Sequence, residues 1–225
     1  MRTIALTLCS VLAVTAIARA DVISTFDSDS EGWRVADLPD SGPFGPALGY
    51  YAVLWNSSGG NPGGYLSATD PSGNNFFLDA PAAFLGDKST AYGQTLSYDL
   101  AFPYPVDWTP LEDVILVGGG MTLVANQGPP PEPAWKHYSL TLLGSSGWHI
   151  GTGAGPAPTE AELQTVLSDL TALRIRGEYH YGDDLPGLDN VRLATTAVPD
   201  GGATLSILGL GLLGMGAARR VLVRQ

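Results

Sequence analysis

Three histidines (His137, His149 and His180) and one cysteine (Cys9) make up the sequence's whole stock of imidazole and thiol. The histidines are scattered, and His137 lies in a run of alternating polarity, a pattern that argues against a zinc triad. Cys9 falls inside an apolar leader, so the mature chain is expected to lack thiol catalysis, disulfides and any cysteine-built zinc site. Gly144-Ser145-Ser146-Gly147 has neither the spacing nor the strand–turn–helix context of a nucleophile elbow. Gly118-Gly119-Gly120 is not followed by the Lys-Ser/Thr of a phosphate loop. Glu112-Asp113 and Asp183-Asp184 are adjacent in sequence, whereas glycoside hydrolysis sets two carboxyls on separate elements across a bond. They read as solvated loop charge. No catalytic constellation assembles, and the expectation is a protein that is not an enzyme.

Binding chemistry is better represented. Trp33, Trp55, Trp108, Trp135 and Trp148, with Tyr50 and Tyr51, could include an exposed platform for stacking on sugar rings. Trp108, between Pro105 and Pro110, has no obvious strand to bury it and is the candidate glycan contact, while most of the others are expected in the core.

The chain has 225 residues, 44% hydrophobic and 15% charged, with a formal net charge of -11. Between residues 21 and 200 all 22 acidic residues face only six basic ones, which leaves -16. Such a surface repels phosphate backbones and excludes nucleic-acid binding.

Both ends read as targeting signals. Residues 1–20 have the order of a secretory signal peptide: Arg2, an apolar run from Ile4 to Ile17, and the small-x-small site Ala18-Arg19-Ala20 before Asp21. Cleavage is expected between Ala20 and Asp21. At the other end, Val198-Pro199-Asp200-Gly201-Gly202 precedes the apolar stretch Ala203 to Ala218 and then Arg219, Arg220 and Arg224. That stretch as a helix reaches about 24 Å, short of the ~30 Å bilayer core. Extension through Val221–Val223 allows it to span, with the arginines on the cytoplasmic side. The order of motif, Gly/Leu-rich helix and Arg cluster in residues 198–225 resembles the PEP-CTERM family of bacterial sorting signals in its VPDGG-like variant. The resemblance implies export, transient single-pass anchoring in the membrane, and cleavage near the motif by an exosortase-type protease. A bacterial origin in turn makes glycosylation of the Asn56-Ser57-Ser58 sequon unexpected.

Between the signals, about ten short β-prone runs are punctuated by Gly, Pro, Asn and Asp clusters. They are 22–27, 50–56, 65–69, 75–80, 94–102, 113–117, 121–125, 137–143, 172–179 and 188–194. Leu96-Ser97-Tyr98-Asp99-Leu100 and Tyr138-Ser139-Leu140-Thr141-Leu142 alternate in polarity, as half-buried strands do. This spacing predicts an all-β sandwich or jelly roll over 21–197. One helix near 159–170 is expected from Thr159 with Glu162 three residues on, a capping box, and from the stripe Leu163, Val166, Leu167 and Leu170.

Four blocks of this body resemble the laminin B domain (laminin domain IV). The first is Leu78-Asp79-Ala80-Pro81-Ala82-Ala83-Phe84-Leu85-Gly86-Asp87-Lys88 running into Ala91-Tyr92-Gly93-Gln94-Thr95-Leu96-Ser97-Tyr98. The second is the hairpin Asp113-Val114-Ile115-Leu116-Val117-Gly118-Gly119-Gly120-Met121-Thr122-Leu123, and the third the helix followed by Leu173-Arg174-Ile175-Arg176-Gly177-Glu178-Tyr179. The fourth is the closing strand Leu188-Asp189-Asn190-Val191-Arg192-Leu193. The resemblance covers roughly residues 26–194 and implies an antiparallel β-sandwich. It departs from the animal laminins in having no flanking Cys-rich modules, and Gln94 stands where the family often has a second Gly.

The first and last segments, Phe26-Asp27-Ser28-Asp29-Ser30-Glu31-Gly32-Trp33 and Leu188-Asp189-Asn190-Val191, also resemble the terminal strands of galactose-binding-like jelly rolls. There, hard oxygen ligands from adjacent first and last strands can hold a structural Ca²⁺, which takes six to eight oxygens. That resemblance makes Asp27, Asp29 and Asp189 candidate calcium ligands. The sequence is therefore expected to encode an exported cell-envelope or matrix protein with a structural or adhesive domain. Two alternatives stand beside it: a carbohydrate-binding module for exopolysaccharide, and a polysaccharide-active enzyme.

Overall fold

The alternating runs pair into two antiparallel sheets in a computed structural model that describes residues 20–39, 45–107, 112–182 and 184–196. The signal-peptide residues before Ala20 and the sorting segment, including Val198, Pro199, Asp200, Gly201, Gly202, Arg219 and Arg220, lie outside the described residues. Among the described residues no helix is long and apolar enough to cross a membrane.

Thirteen strands are found among them. One sheet has the order β10 (Lys136–Thr141), β7 (Thr95–Ala101), β13 (Gly187–Leu193), β5 (Gly63–Ser67), β4 (Leu54–Gly60). In it β1 (Val22–Ser24) takes the far end of the β13 edge that β5 leaves free. The other runs β11 (Trp148–Ile150), β9 (Met121–Ala125), β8 (Val114–Gly118), β12 (Leu170–Arg176), β6 (Asn75–Asp79), β2 (Arg34–Leu38), β3 (Gly49–Ala52). Alternation decides which side chains meet between the sheets. Leu96, Tyr98 and Leu100 of β7, Val114 and Leu116 of β8, and Leu173 and Ile175 of β12 form one core with Trp33, Phe84 and Trp148. Each such leucine or aromatic, fully buried, contributes about 1.5–3 kcal/mol.

The helix α1 (Glu160–Ser168) starts where its capping box requires. Thr159 accepts from the Glu162 N–H, and the Glu162 carboxylate accepts from the Thr159 N–H at 2.7 Å. Leu163, Val166 and Leu167 are buried, but Leu170 completes their stripe from outside the helix. It is the first residue of β12, exchanging backbone hydrogen bonds with Gly86, which corrects the expected helix end.

Three strands differ from expectation. β2 is additional, because Arg34 and Asp37 interrupt its apolar pattern. The expected strand 50–56 breaks at Val53, where the chain leaves the seven-stranded sheet as β3 and enters the six-stranded one as β4. The three-residue β11 is also additional. The triple glycine closes the β8–β9 hairpin as expected, with Gly119 and Gly120 at φ +54° and +75°.

Candidate functional site

The outward face of the six-stranded sheet gathers polar side chains from four elements. Registers place His137 of β10 and Asp189 of β13 on either side of Asp99 of β7, one row across three strands. A bulge in β13 follows Asp189, and Asn190 there takes φ +50°, a left-handed conformation that asparagine tolerates. Its side chain thereby reaches both Asp99 Oδ2 (2.8 Å) and the Asn61 carbonyl (2.6 Å). The glycine-rich turn between β4 and β5 folds over the row and supplies Asn61. Its N–H donates to Asp189 Oδ2 at 2.6 Å and its side-chain amide to Asp99 Oδ2 at 3.0 Å.

The two carboxylates are deeply placed, Asp99 at 5% exposure and Asp189 at 0%. Every one of their oxygens accepts a hydrogen bond. Asp189 Oδ1 takes the Asn190 N–H at 2.7 Å, and Asp99 Oδ1 lies 2.6 Å from His137 Nδ1. The His137 side chain is 63% exposed, so its second nitrogen faces solvent on a ring oriented by a buried acid. Burial pushes the Asp189 carboxyl above the usual range. The amides of Asn61 and Asn190 oppose that rise, while the charges of Asp99 and Asp27 add to it.

Asp27 enters from the turn after β1. Phe26 and Glu31 adopt positive φ, and Glu31 Oε1 folds back to accept the N–H groups of Thr25 (3.1 Å) and Phe26 (2.7 Å). The turn is drawn against the glycine-rich segment so closely that side chains there have no room. A Cβ at Gly64 would lie 2.1 Å from the Phe26 carbonyl oxygen, one at Gly63 2.6 Å from Asp27 Oδ1, and one at Gly60 2.6 Å from Asp189 Oδ2. Of the three expected calcium ligands, Asp27 and Asp189 thus approach the same segment from either side. Asp29 accepts the Glu31 N–H at 2.7 Å within its own turn. Among the described residues no group of three His, Cys, Asp or Glu side chains is arranged to hold a metal ion. The donors available beside Asp27 and Asp189, carboxylate and carbonyl oxygens, are nevertheless the type a hard cation takes.

Of the four described tryptophans, two lie in the core and two nearer the surface. Trp33 and Trp148 are core residues. Trp55 is exposed, with its indole N–H donated to the Phe26 carbonyl at 2.7 Å. Trp135 is half-buried against Gly187 and meets Tyr65 edge-on at 5.4 Å, with its N–H on the Gly59 carbonyl. Gly187, which Trp135 covers, lies two residues from Asp189 along β13, about 7 Å away on the same face of the strand. Trp108 lies outside the described residues.

Sequence reasoning misses Asp99, Asn61 and Asn190 as site residues and gives His137 only the role of an ordinary strand residue. The available signal is positional. Asp99 occupies a polar slot of an alternating strand, and Asn61-Pro62-Gly63-Gly64 packs turn formers into a short segment. The two acidic pairs correct an expectation. Asp113 and Asp184 are buried rather than solvated, Glu112 accepts the Gly153 N–H at 2.7 Å, and Asp183 lies outside the described residues.

Comparison with known proteins gives matches over the body and the tail. A model of the laminin B (domain IV) family matches residues 77–206, and a VPDSG-CTERM motif matches residues 197–222. Laminin subunit gamma-2 of Equus caballus is 30% identical over 185 residues, 81% of this chain and 14% of its own. Laminin subunit gamma-1 of Xenopus tropicalis is 26% identical over 164 residues, 71% of this chain and 9% of its own. The chain therefore spans about a seventh or less of the length of these relatives. Among solved structures, the L4b domain of human laminin alpha-2 has a TM-score of 0.62 at 15% identity. That match covers 79% of this chain and 99% of the domain, which shows a shared fold.

Proposed function

Because the chain belongs to the laminin B (domain IV) family, we propose that it is an exported, non-catalytic module with a structural or adhesive role in the bacterial envelope or its matrix. The observation that carries this reading is the pairing of two features in one short chain: a laminin B sandwich and, directly after it, a VPDSG-CTERM sorting motif. An exosortase-type protease would recognise the membrane-inserted tail, cut near Val198–Gly202, and release the sandwich to the outside. Intact-mass analysis of the protein from its native host tests this. The expected species begins at Asp21 and ends near the motif. A mass that retains Arg224-Gln225 would replace sorting by a permanent anchor.

A second reading, a carbohydrate-binding module, is favoured by the Tyr65–Trp135 pair beside the Asp99–His137–Asn61–Asn190 network. Sugar recognition combines an aromatic face with oriented polar groups, and these groups are fixed before any ligand arrives. An array of exopolysaccharide fragments tests it, with loss of binding expected in Trp135→Ala. A blank array would leave the adhesive role to protein contacts.

Calcium is proposed in a supporting role. A Ca²⁺ held by Asp27 and Asp189 with nearby carbonyl oxygens would relieve the repulsion among Asp27, Asp99 and Asp189 and tie the first turn to the last strand.

A further inference from the structure

Residues 45–69 contain no Asp, Glu, Lys, Arg or His, in a body where residues 21–200 carry -16. This uncharged stretch forms one side of the sandwich. It supplies β3, the last strand of the seven-stranded sheet, and β4, an outermost strand of the six-stranded one. Among the described residues no strand pairs with the outer edge of either, so half of their backbone N–H and C=O groups face outward. Large apolar side chains line that edge: Leu48 is 61% exposed, Leu54 53%, and Tyr50 and Tyr51 48% and 46%. The Arg34 guanidinium lies 3.5 Å from the centre of the Tyr50 ring and pairs with Asp79 at 2.8 Å, which holds the ring and neutralises the charge.

The opposite edges are built differently. β10 carries Lys136 and His137 behind Pro129-Pro130-Pro131 and Pro133, and β11 has only three residues. Charge, proline and shortness are what keep sheet edges from pairing. Tyr50-Tyr51-Ala52-Val53-Leu54-Trp55 has neither charge nor proline and runs from one open edge to the other. Six β-prone residues without charge, Pro or Gly are the composition in which identical segments pair with one another.

We infer that the β3 edge is a self-association surface, where two copies of this chain pair β3 to β3 across a two-fold axis and join their seven-stranded sheets. This goes beyond the export reading and holds whichever form of the tail is present. A second copy is the occupant for two reasons. Bodies as acidic as these repel each other wherever carboxylates face, and at β3 neither copy presents one. Two identical antiparallel edges also match in length and apolar pattern by symmetry. The pairing stops there, because β4 is bordered by the acidic turn of Asp27, Asp29 and Glu31: Trp55 donates to the Phe26 carbonyl at 2.7 Å.

Cysteine scanning reads the axis directly. The chain's one cysteine, Cys9, lies in the leader, so in a Cys9→Ser background each introduced thiol is alone. Single cysteines are placed at 48 to 54 in the full chain, expressed in the native host, and oxidised in whichever tail form mass analysis finds. In a two-fold antiparallel pair the residue on the axis faces its own copy at about 4.5–5.5 Å between Cα atoms, within disulfide reach. A species of doubled mass is therefore expected to peak at one position of β3 and to be absent from Ser139→Cys on β10. Tyr51→Lys, or Tyr50→Lys where position 51 holds the cysteine, should abolish the peak by setting like charges across the axis, with circular dichroism showing that the sandwich is still folded. No doubled species anywhere in β3 would overturn the inference. So would equal yield from Ser139→Cys, which would report crowding through the tail, or a peak that the lysine leaves intact.

Discussion

Asp189 in β13 and Asp184 just before that strand are both buried aspartates, yet their oxygens are satisfied in different ways. Asp189 spends both oxygens on backbone amides, one from each side. Asp184 uses one oxygen for two amides, and its other oxygen has no hydrogen-bond partner among the described residues. The difference lies in what packs against each. A bulge and a turn almost devoid of side chains bring an N–H group onto each Asp189 oxygen, whereas the N–H groups of Tyr179 and His180 both reach the same Asp184 oxygen. Acidic neighbours raise both groups, so what separates them is the donor count on each oxygen: at Asp189 each oxygen has its own N–H, while at Asp184 both N–H groups fall on one.

The sharpest way to break this comparison is the same substitution at both positions. In Asp189→Asn the new amide nitrogen must face a backbone N–H, leaving one donor unpaired at a cost of about 2–3 kcal/mol. The melting temperature should fall by roughly 4–12 °C for a domain of this size. Asp184→Asn should leave it unchanged or raise it at pH 8. Equal losses at both sites would erase the distinction.

Calcium sharpens the Asp189 side. If it binds, ligand at about 100 times its Kd adds roughly 2.7 kcal/mol, so melts with millimolar Ca²⁺ and with chelator separate by several degrees. Asp189→Ala should abolish the separation, and superimposable wild-type curves would leave these carboxylates purely structural.

A smaller effect concerns the whole domain's response to pH. Burial raises Asp113, Glu178, Asp184 and Asp189, so all four contribute stability that declines as pH rises above the ordinary carboxylate range. Asp21 and Glu162 are lowered by their hydrogen bonds and act in the opposite sense, but both sit at the surface, where solvent screens them. The melting temperature is therefore expected to be a few degrees higher at pH 5 than at pH 8. The smallest effect belongs to Thr159→Ala, which removes the helix cap and costs about 1 kcal/mol at any pH in that range, as chemical denaturation would report.

Much of the sandwich is legible in the sequence because alternation and turn residues are local signals. Leu96-Ser97-Tyr98-Asp99-Leu100 announces a strand, Gly118-Gly119-Gly120 a hairpin, and Thr159 with Glu162 a helix start. Arg34–Leu38 is illegible for the same reason in reverse: its charged residues find partners far away, Arg34 on Asp79 at 2.8 Å and Asp37 on Ser72 at 3.0 Å. The polar row is harder still. Asp99, His137 and Asp189 are far apart in sequence, and they meet through strand order and register, which no local pattern encodes. Asn190 joins them because a bulge turns it, and a bulge leaves no residue signature here beyond an asparagine.

The antiparallel pairing of β1 with β13 sets Val22 against Leu193. Asp21 then clasps Arg192 at 2.5 Å and the Thr195 N–H at 2.8 Å. The two ends of the sandwich thus leave from the same point. Tension applied between them would peel β1 from β13 one pair at a time, starting at that clasp, instead of shearing the sheets across many bonds at once. As a mechanical element the domain yields first at its own doorway, with the core and the polar row still folded behind it.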